Sequence, residues 1–280
     1  GLGDVYKRQR QRISAILDFL EGKFKLNNLR ILKQFNGCCF ADLDLKQQGV
    51  IEDFQLLFYI IQPPTPERVK YDIFDRVNRG GTPLNKQEMR NALYRGRCTR
   101  MLDKLCCSPE FLIATGRSIN KERMKDQYVV LRAMAFLMLH RGEFKDIPAL
   151  QYRGDIDDFL ARFMVYVNDN APEKLIVDYE NLFIRCMQIS YDLLGENGFR
   201  FSGNGIRRPI NMPLFEALSY LFSFVPEKID YTWASRLILD IESVKEEFDD
   251  SRYFSGNIDS TTSVSFRFDR MDKIINRIQL

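Results

Sequence analysis

Ile73-Phe74-Asp75-Arg76-Val77-Asn78-Arg79-Gly80-Gly81-Thr82-Pro83-Leu84-Asn85-Lys86-Gln87-Glu88-Met89-Arg90-Asn91-Ala92 is the stretch on which the fold of this 280-residue chain turns. Ile73 and Val77 continue an inward side begun at Val69, on a helix that Gly80-Gly81 stops. Asn85, with Glu88 three residues on, has the spacing of a capping box for a second helix. The first helix opens at Thr65-Pro66-Glu67, where a hydroxyl cap, a proline in first position and an acid in the first turn coincide. The whole reads as helix, tight glycine turn, capped helix.

Upstream, Leu29 to Leu32 and Gln55 to Ile61 have the composition of strands. Leu56 to Ile61 is apolar on both faces, as a central strand would be, and Pro63-Pro64 ends it. Ile13, Ile16, Leu17 and Leu20 recur at helical spacing, with Gly22 as the stop. Downstream of about Arg97 strand signals nearly vanish and apolar stripes of helical period succeed one another. One comprises Met124, Tyr128, Leu131, Ala135 and Met138; the next Ile156, Phe159, Leu160, Phe163 and Val167. Leu175, Tyr179, Leu182, Cys186, Ile189 and Leu193 alternate steps of four and three, as antiparallel helix packing needs. Later stripes run Leu214, Leu218, Leu221, Val225; then Trp233, Leu237, Ile241, Val244, Phe248; then Phe268, Met271, Ile275, Ile278. The expected fold is α+β and mainly α, with a small α/β part over 10–96 followed by a larger helical bundle over 97–280. Loops are expected at Gly195–Asn211, glycine-rich and carrying Arg200, Arg207 and Arg208, and at Ser251–Ser265, polar and mobile.

Gly1 to Gln9 matches the translation of a transposon-end sequencing adapter. It reads as a foreign tail on a gene fragment whose own first residues are missing. The apolar fraction of 45% and charged fraction of 28% are ordinary for a soluble globular protein, and a net charge of +3 does not by itself imply nucleic-acid binding. Six cysteines, among them two adjacent pairs and no C-x-x-C, form neither a disulfide ladder nor a zinc pattern, so free thiols in a cytoplasmic protein are expected. The longest apolar run, Tyr128 to Leu139, is interrupted by Arg132 and too short to span a bilayer. No G-x-x-x-x-G-K-[ST] is present, which excludes a P-loop NTPase. The single histidine, His140, sits on the apolar helix, where a core or helix-end role outweighs a catalytic one, and no histidine-based nuclease site can be built. Asp157-Asp158 and Asp249-Asp250 read as solvated helix faces, and Cys106-Cys107 as packing.

The glycine turn has a chemical reading too. Helix N-termini offer N–H groups to anions, glycines let a ligand approach the backbone, and Arg76, Arg79 and Asn78 could bind phosphate oxygens. Between Thr65 and Leu105 ten basic residues face five acidic ones, a local balance of +5. The same residues also read as plain structure: Gly80-Gly81 as a helix stop, Glu88 as a cap partner, the arginines as solvated faces.

Phe74 to Glu88 resembles the F-x-R-x-N-x-G-G-x-x-L-x-x-x-E signature of the GmrSD restriction-endonuclease N-terminal domain family, whose fold is similar to ParB and sulfiredoxin. Arg10-Gln11-Arg12 resembles the end of that family's D-G-x-Q-R motif, with Arg8 and Gln9 standing where Asp and Gly belong. Arg207-Arg208-Pro209-Ile210-Asn211 and Pro213-Leu214-Phe215-Glu216 also look familial, less specifically. The resemblance implies a nucleotide-binding or NTP-hydrolysing module of a modification-dependent phage-defence system, with Mg2+ as a possible companion ion. Its phosphate-binding residues would be Gln11, Arg12, Arg76, Asn78, Arg79, Gly80, Gly81 and Glu88. Without the motif's Asp no catalytic residue is assigned. The alternatives are a ParB-like DNA-binding module that uses Arg200, Arg207 and Arg208, and a non-enzymatic subunit docking a separate nuclease or a second copy of itself. No membrane partner is expected.

Overall fold

Side-chain caps set where most of the helices begin in the computed structural model, which describes residues 13–56, 69, 84–202, 207–226 and 230–278. The chain divides into two compact units, Gly1–Lys70 and Tyr71–Leu280. In the first, residues 13–20 form α1, closed by Gly22 at φ +73°, a left-handed geometry that glycine adopts without strain. The helix predicted from the spacing forms, with most of its spaced apolar residues turned outward. Ile13, Ile16 and Leu17 are exposed, while Phe19 is buried and packs its ring 5.6 Å from Phe24 and 5.9 Å from Phe40. Two 3-10 turns, Lys33–Phe35 and Phe40–Asp42, lead to α2, Leu45–Glu52, capped by Asp44.

No strand occurs among the described residues, so the small α/β part expected here is not confirmed, and residues 29–32 in particular are not a strand. The reason is visible at residues 29–32. The side-chain amide of Asn36 accepts from the Leu29 N–H at 2.8 Å and donates to the Leu29 carbonyl at 3.3 Å. Both backbone groups of Leu29 are thereby met by one side chain instead of a neighbouring strand. Of the second expected strand, residues 55 and 56 are irregular and 57–61 lie outside the described residues.

All regular secondary structure among the described residues of the second unit is helical. It comprises α3 (Lys86–Leu93), α4 (Arg97–Cys106), α5 (Pro109–Ala114), α6 (Lys125–His140), α7 (Ile156–Asp169), α8 (Glu173–Leu194), α9 (Met212–Phe222), α10 (Tyr231–Asp249) and α11 (Thr261–Ile278). Helix α3, expected in the small domain, packs here against α6 and the turn before it. The core is one cluster from Tyr94 to Ile275. Helix α6 is its axis: Val129 to Met138 are all buried, with α9, α4 and α7 around them. A helix apolar on every side belongs in the middle of a bundle, as its sequence suggested.

Two further expectations need correcting. On α8 the buried face is Ile176, Tyr179, Phe183, Cys186, Met187 and Ser190, rotated from the predicted stripe so that Leu175, Leu182 and Ile189 are only partly covered. Residues 251–265 are not an open loop: Phe254 and Val264 are buried, and α11 already begins at Thr261. No helix among the described residues is long and apolar enough to cross a membrane. All six cysteines are free; burial pushes the Cys98 and Cys106 thiols up, and that of Cys186 to about 12.

Candidate functional site

The capping box at the end of the signature forms as read. Asn85 Oδ1 accepts from the Gln87 and Glu88 N–H groups, each at 2.8 Å, and Glu88 Oε2 accepts from the Asn85 N–H at 2.7 Å. This reciprocal arrangement uses the N–H groups that would otherwise face an anion, so Glu88 holds the helix start. Its carboxylate also binds Arg123 Nη2 at 3.0 Å, and Asn85 Nδ2 donates to the Arg123 carbonyl at 2.7 Å.

Those contacts pin down an unusual turn. Arg123 and Met124, at φ +56° and +59°, both adopt the left-handed conformation immediately before α6. Each such non-glycine residue costs on the order of 1–3 kcal/mol and persists only where neighbours impose it. Here the neighbours are Asn85, Glu88 and Asn91, whose amide donates to Met124 Sδ at 3.0 Å.

Between this turn and α3 lies a cavity of about 530 Å³, lined by Asn85, Lys86, Gln87, Arg90, Asn120, Glu122, Arg123, Met124, Lys125 and Tyr128. Four cations line it against one carboxylate. Glu88 and Asp157, paired behind the wall, reduce the balance to one net positive charge. Asp157 on α7 binds both Lys86 and Arg90, the latter at 2.7 Å. Burial works against the Asp157 carboxylate, but those two hydrogen bonds outweigh it and hold its carboxyl below the usual range. Asp157 is therefore a half-buried ion-pair partner of α3 rather than only a solvated face; Asp158 beside it is more open and pairs with Arg162.

Arg90 is fully buried. Its Nε donates to Gln87 Oε1 at 2.9 Å and its Nη1 to Asp157, while Nη2 has no hydrogen-bond partner among the described residues. An unmet charged donor in a protein interior costs on the order of 1–3 kcal/mol or more. The guanidinium carbon lies 5.1 Å from the Tyr128 ring centroid, a cation–π contact, and Arg132 approaches the same ring at 5.6 Å. Behind Arg90 a chain of amides continues from Gln87 to Asn91 to Gln127 to Asp103.

Beyond Tyr128 the core holds two more buried arginines. Arg132 of α6 and Arg267 of α11 grip opposite oxygens of Glu216 on α9, Arg267 at 2.7 Å, and all three side chains are buried. Arg132 also binds Asp259 at 2.6 Å and the Tyr128 hydroxyl at 3.1 Å; Arg267 donates to the Ile258 carbonyl at 2.6 Å. Burial disfavours the Arg132 charge, yet Glu216 and Asp259 more than offset it and hold its pKa well up. Fully buried charges occur in proteins almost only when paired in this way.

The remaining expected residues are dispersed. Gln11, Arg12, Arg76, Asn78, Arg79, Gly80 and Gly81 lie outside the described residues. Arg200 is buried and donates to the carbonyls of Glu196 and Thr115, each at 3.2 Å, to that of Arg208 and to the Ser118 hydroxyl. Arg207 pairs with Glu196 at 2.7 Å, and Arg208 pairs with Asp249 while lying over the Phe201 ring. Arg200 and Arg208 fasten the 195–211 segment to the bundle, while the Arg207–Glu196 pair ties the segment to itself. His140 stacks on Phe268 with centroids 3.6 Å apart, and burial, aided by Arg267, pushes it down to about 3, so it is neutral. Among the described residues no group of His, Cys, Asp and Glu is placed to hold a metal ion.

Lys86, Arg90, Arg123 and Lys125 went unmarked in the sequence. The signals available were the local excess of positive charge and the charged run Lys121-Glu122-Arg123-Met124-Lys125 beside an apolar helix. Comparisons with protein-family models, with curated proteins and with solved structures find no match to this chain.

Proposed function

We propose that this chain is a nucleotide-responsive regulatory module of a modification-dependent phage-defence system, the role that its resemblance to the GmrSD N-terminal family implies. The observation that supports this reading is where the signature leads. Its last residue, Glu88, fastens the wall of a basic cavity, and Lys86 within it and Arg90 just past it supply two of the four cations that line that cavity. The ligand class is a nucleoside triphosphate with Mg2+ as counter-ion. Hydrolysis would need an acid ahead of Gln11-Arg12, where this chain has Arg8-Gln9, so binding is the activity proposed. A cytoplasmic site of action suits the six unpaired cysteines.

Calorimetric titration of the chain with ATP and GTP tests the reading. Arg12→Ala combined with Arg76→Ala should weaken nucleotide binding at least tenfold. Equal affinity in the parent and the double variant rejects it.

A further inference from the structure

We propose that the cavity between α3 and the Asn120–Lys125 turn is an oxyanion site that takes a small polyphosphate through Lys86, Arg90, Arg123 and Lys125. This deepens the nucleotide reading by naming the group recognised, yet it rests on residues of the second unit alone and stands or falls separately.

Four features converge. The volume of about 530 Å³ is in the range of small-molecule sites. Cations line it from two separate segments, α3 and the turn before α6, so an anion seated between them meets charge from both sides. Lys125 is exposed and has no ion-pair partner among the described residues, so its ammonium is available without breaking any contact. Arg90 is fully buried, lines the cavity and holds an Nη2 without a partner among the described residues. The wall of the cavity thus contains a buried guanidinium with one donor unused.

The chemistry of the lining favours phosphate over carboxylate ligands. Arg90 and Lys86 already share the Asp157 carboxylate, and Arg123 holds Glu88. A singly charged ligand would match those partners without surpassing them, whereas a phosphoryl group brings more charge and three acceptor oxygens. Asn85 and Asn120 add neutral side chains at the rim. A pyrophosphate or triphosphate entering here would draw Arg123 from Glu88, loosening one of the contacts that hold Arg123 and Met124 in their left-handed conformation.

The test is titration with inorganic pyrophosphate at low salt, by calorimetry. Lys86→Ala and Lys125→Ala each remove an exposed side chain and should each weaken pyrophosphate binding at least fivefold, whereas Lys174→Ala on α8 should change it less than twofold. Absence of pyrophosphate binding by the parent chain, or equal affinity in the two cavity variants, overturns the proposal. ATP run in parallel separates the two ideas. If ATP binding depends on Arg12 and Arg76 but not on Lys86 and Lys125, the nucleotide reading survives and the cavity site does not. Pyrophosphate binding that depends on Lys86 and Lys125, with no ATP binding, upholds the cavity site and removes the nucleotide reading.

Discussion

Replacing Glu216 with Ala should come close to unfolding the bundle. The carboxylate bridges Arg132 and Arg267, so the change deletes two charge-assisted hydrogen bonds at once. At about 1.5–3 kcal/mol for each bond to a charged group, the loss is roughly 3–6 kcal/mol. Breaking a buried pair from one side costs about 3–5 kcal/mol, and a domain has only about 5–15 kcal/mol in total. The damage falls unevenly: Arg132 keeps Asp259, whereas Arg267 keeps only the Ile258 carbonyl, and its Nε already lacks a partner. Glu216→Leu combined with Arg267→Met removes one charge of each sign and leaves Arg132 with Asp259. That double variant should stay within about 1–2 kcal/mol of the parent, since apolar replacements of buried pairs are often close to neutral. Urea unfolding followed by far-ultraviolet circular dichroism measures all of these with one denaturant slope. A Glu216→Ala loss below about 1 kcal/mol, or a double variant costing as much as the sum of its parts, refutes the claim that these charges compensate one another.

Three further outcomes are expected. The unfolded chain protonates His140 below pH 6.5 and the native chain only near pH 3, so its contribution is complete above pH 6.5 and is lost as pH falls, by up to about 1.4 kcal/mol per unit. His140→Phe should flatten the stability–pH curve there by up to one proton, and an unchanged slope would dismiss the assignment. Asn85→Ala should cost about 1–2 kcal/mol in urea melts, because it removes a helix cap and the bond to the Arg123 carbonyl together; a loss under a few tenths would show the turn is held otherwise. Gly116→Ala would set a Cβ 2.1 Å from Arg207 Nη2 at a position of φ +57°, breaking the Arg207–Glu196 pair, and should destabilise by about 1–2 kcal/mol. The same change in an Arg207→Ala background should cost clearly less, and equal losses would locate the strain in the backbone alone.

What could be read in advance was what is decided locally. Asn85 and Glu88 announce a capping box because both partners sit within one turn of each other. The central place of α6 follows from a helix apolar on every side. The face that α8 buries was not legible, because Ile176 and Phe183 are as apolar as Leu175 and Leu182, and only the neighbouring helices choose between them. The strand at residues 29–32 failed because a single amide, Asn36, takes the place of a partner strand. The cavity cations escaped notice for a related reason. Lys86, Arg90 and Arg123 look like solvated charges until the fold brings Asp157 and Glu88 from elsewhere to meet them. Glu216 stood in a stretch already marked as familial, but nothing in its neighbours told that two arginines, 84 and 51 residues away, would converge on it.

The Arg132–Glu216–Arg267 triad also decides how the helices can slide. Hydrocarbon surfaces are forgiving, and two leucine-lined helices can slip by a turn, about 5.4 Å, and still cover one another. A slip of α11 along α9 would part Arg267 from its one carboxylate, and a slip of α6 would break the Arg132–Glu216 bond. The axial register of three helices is thereby favoured by a single acid, and slipped packings of the same apolar side chains lose its bonds.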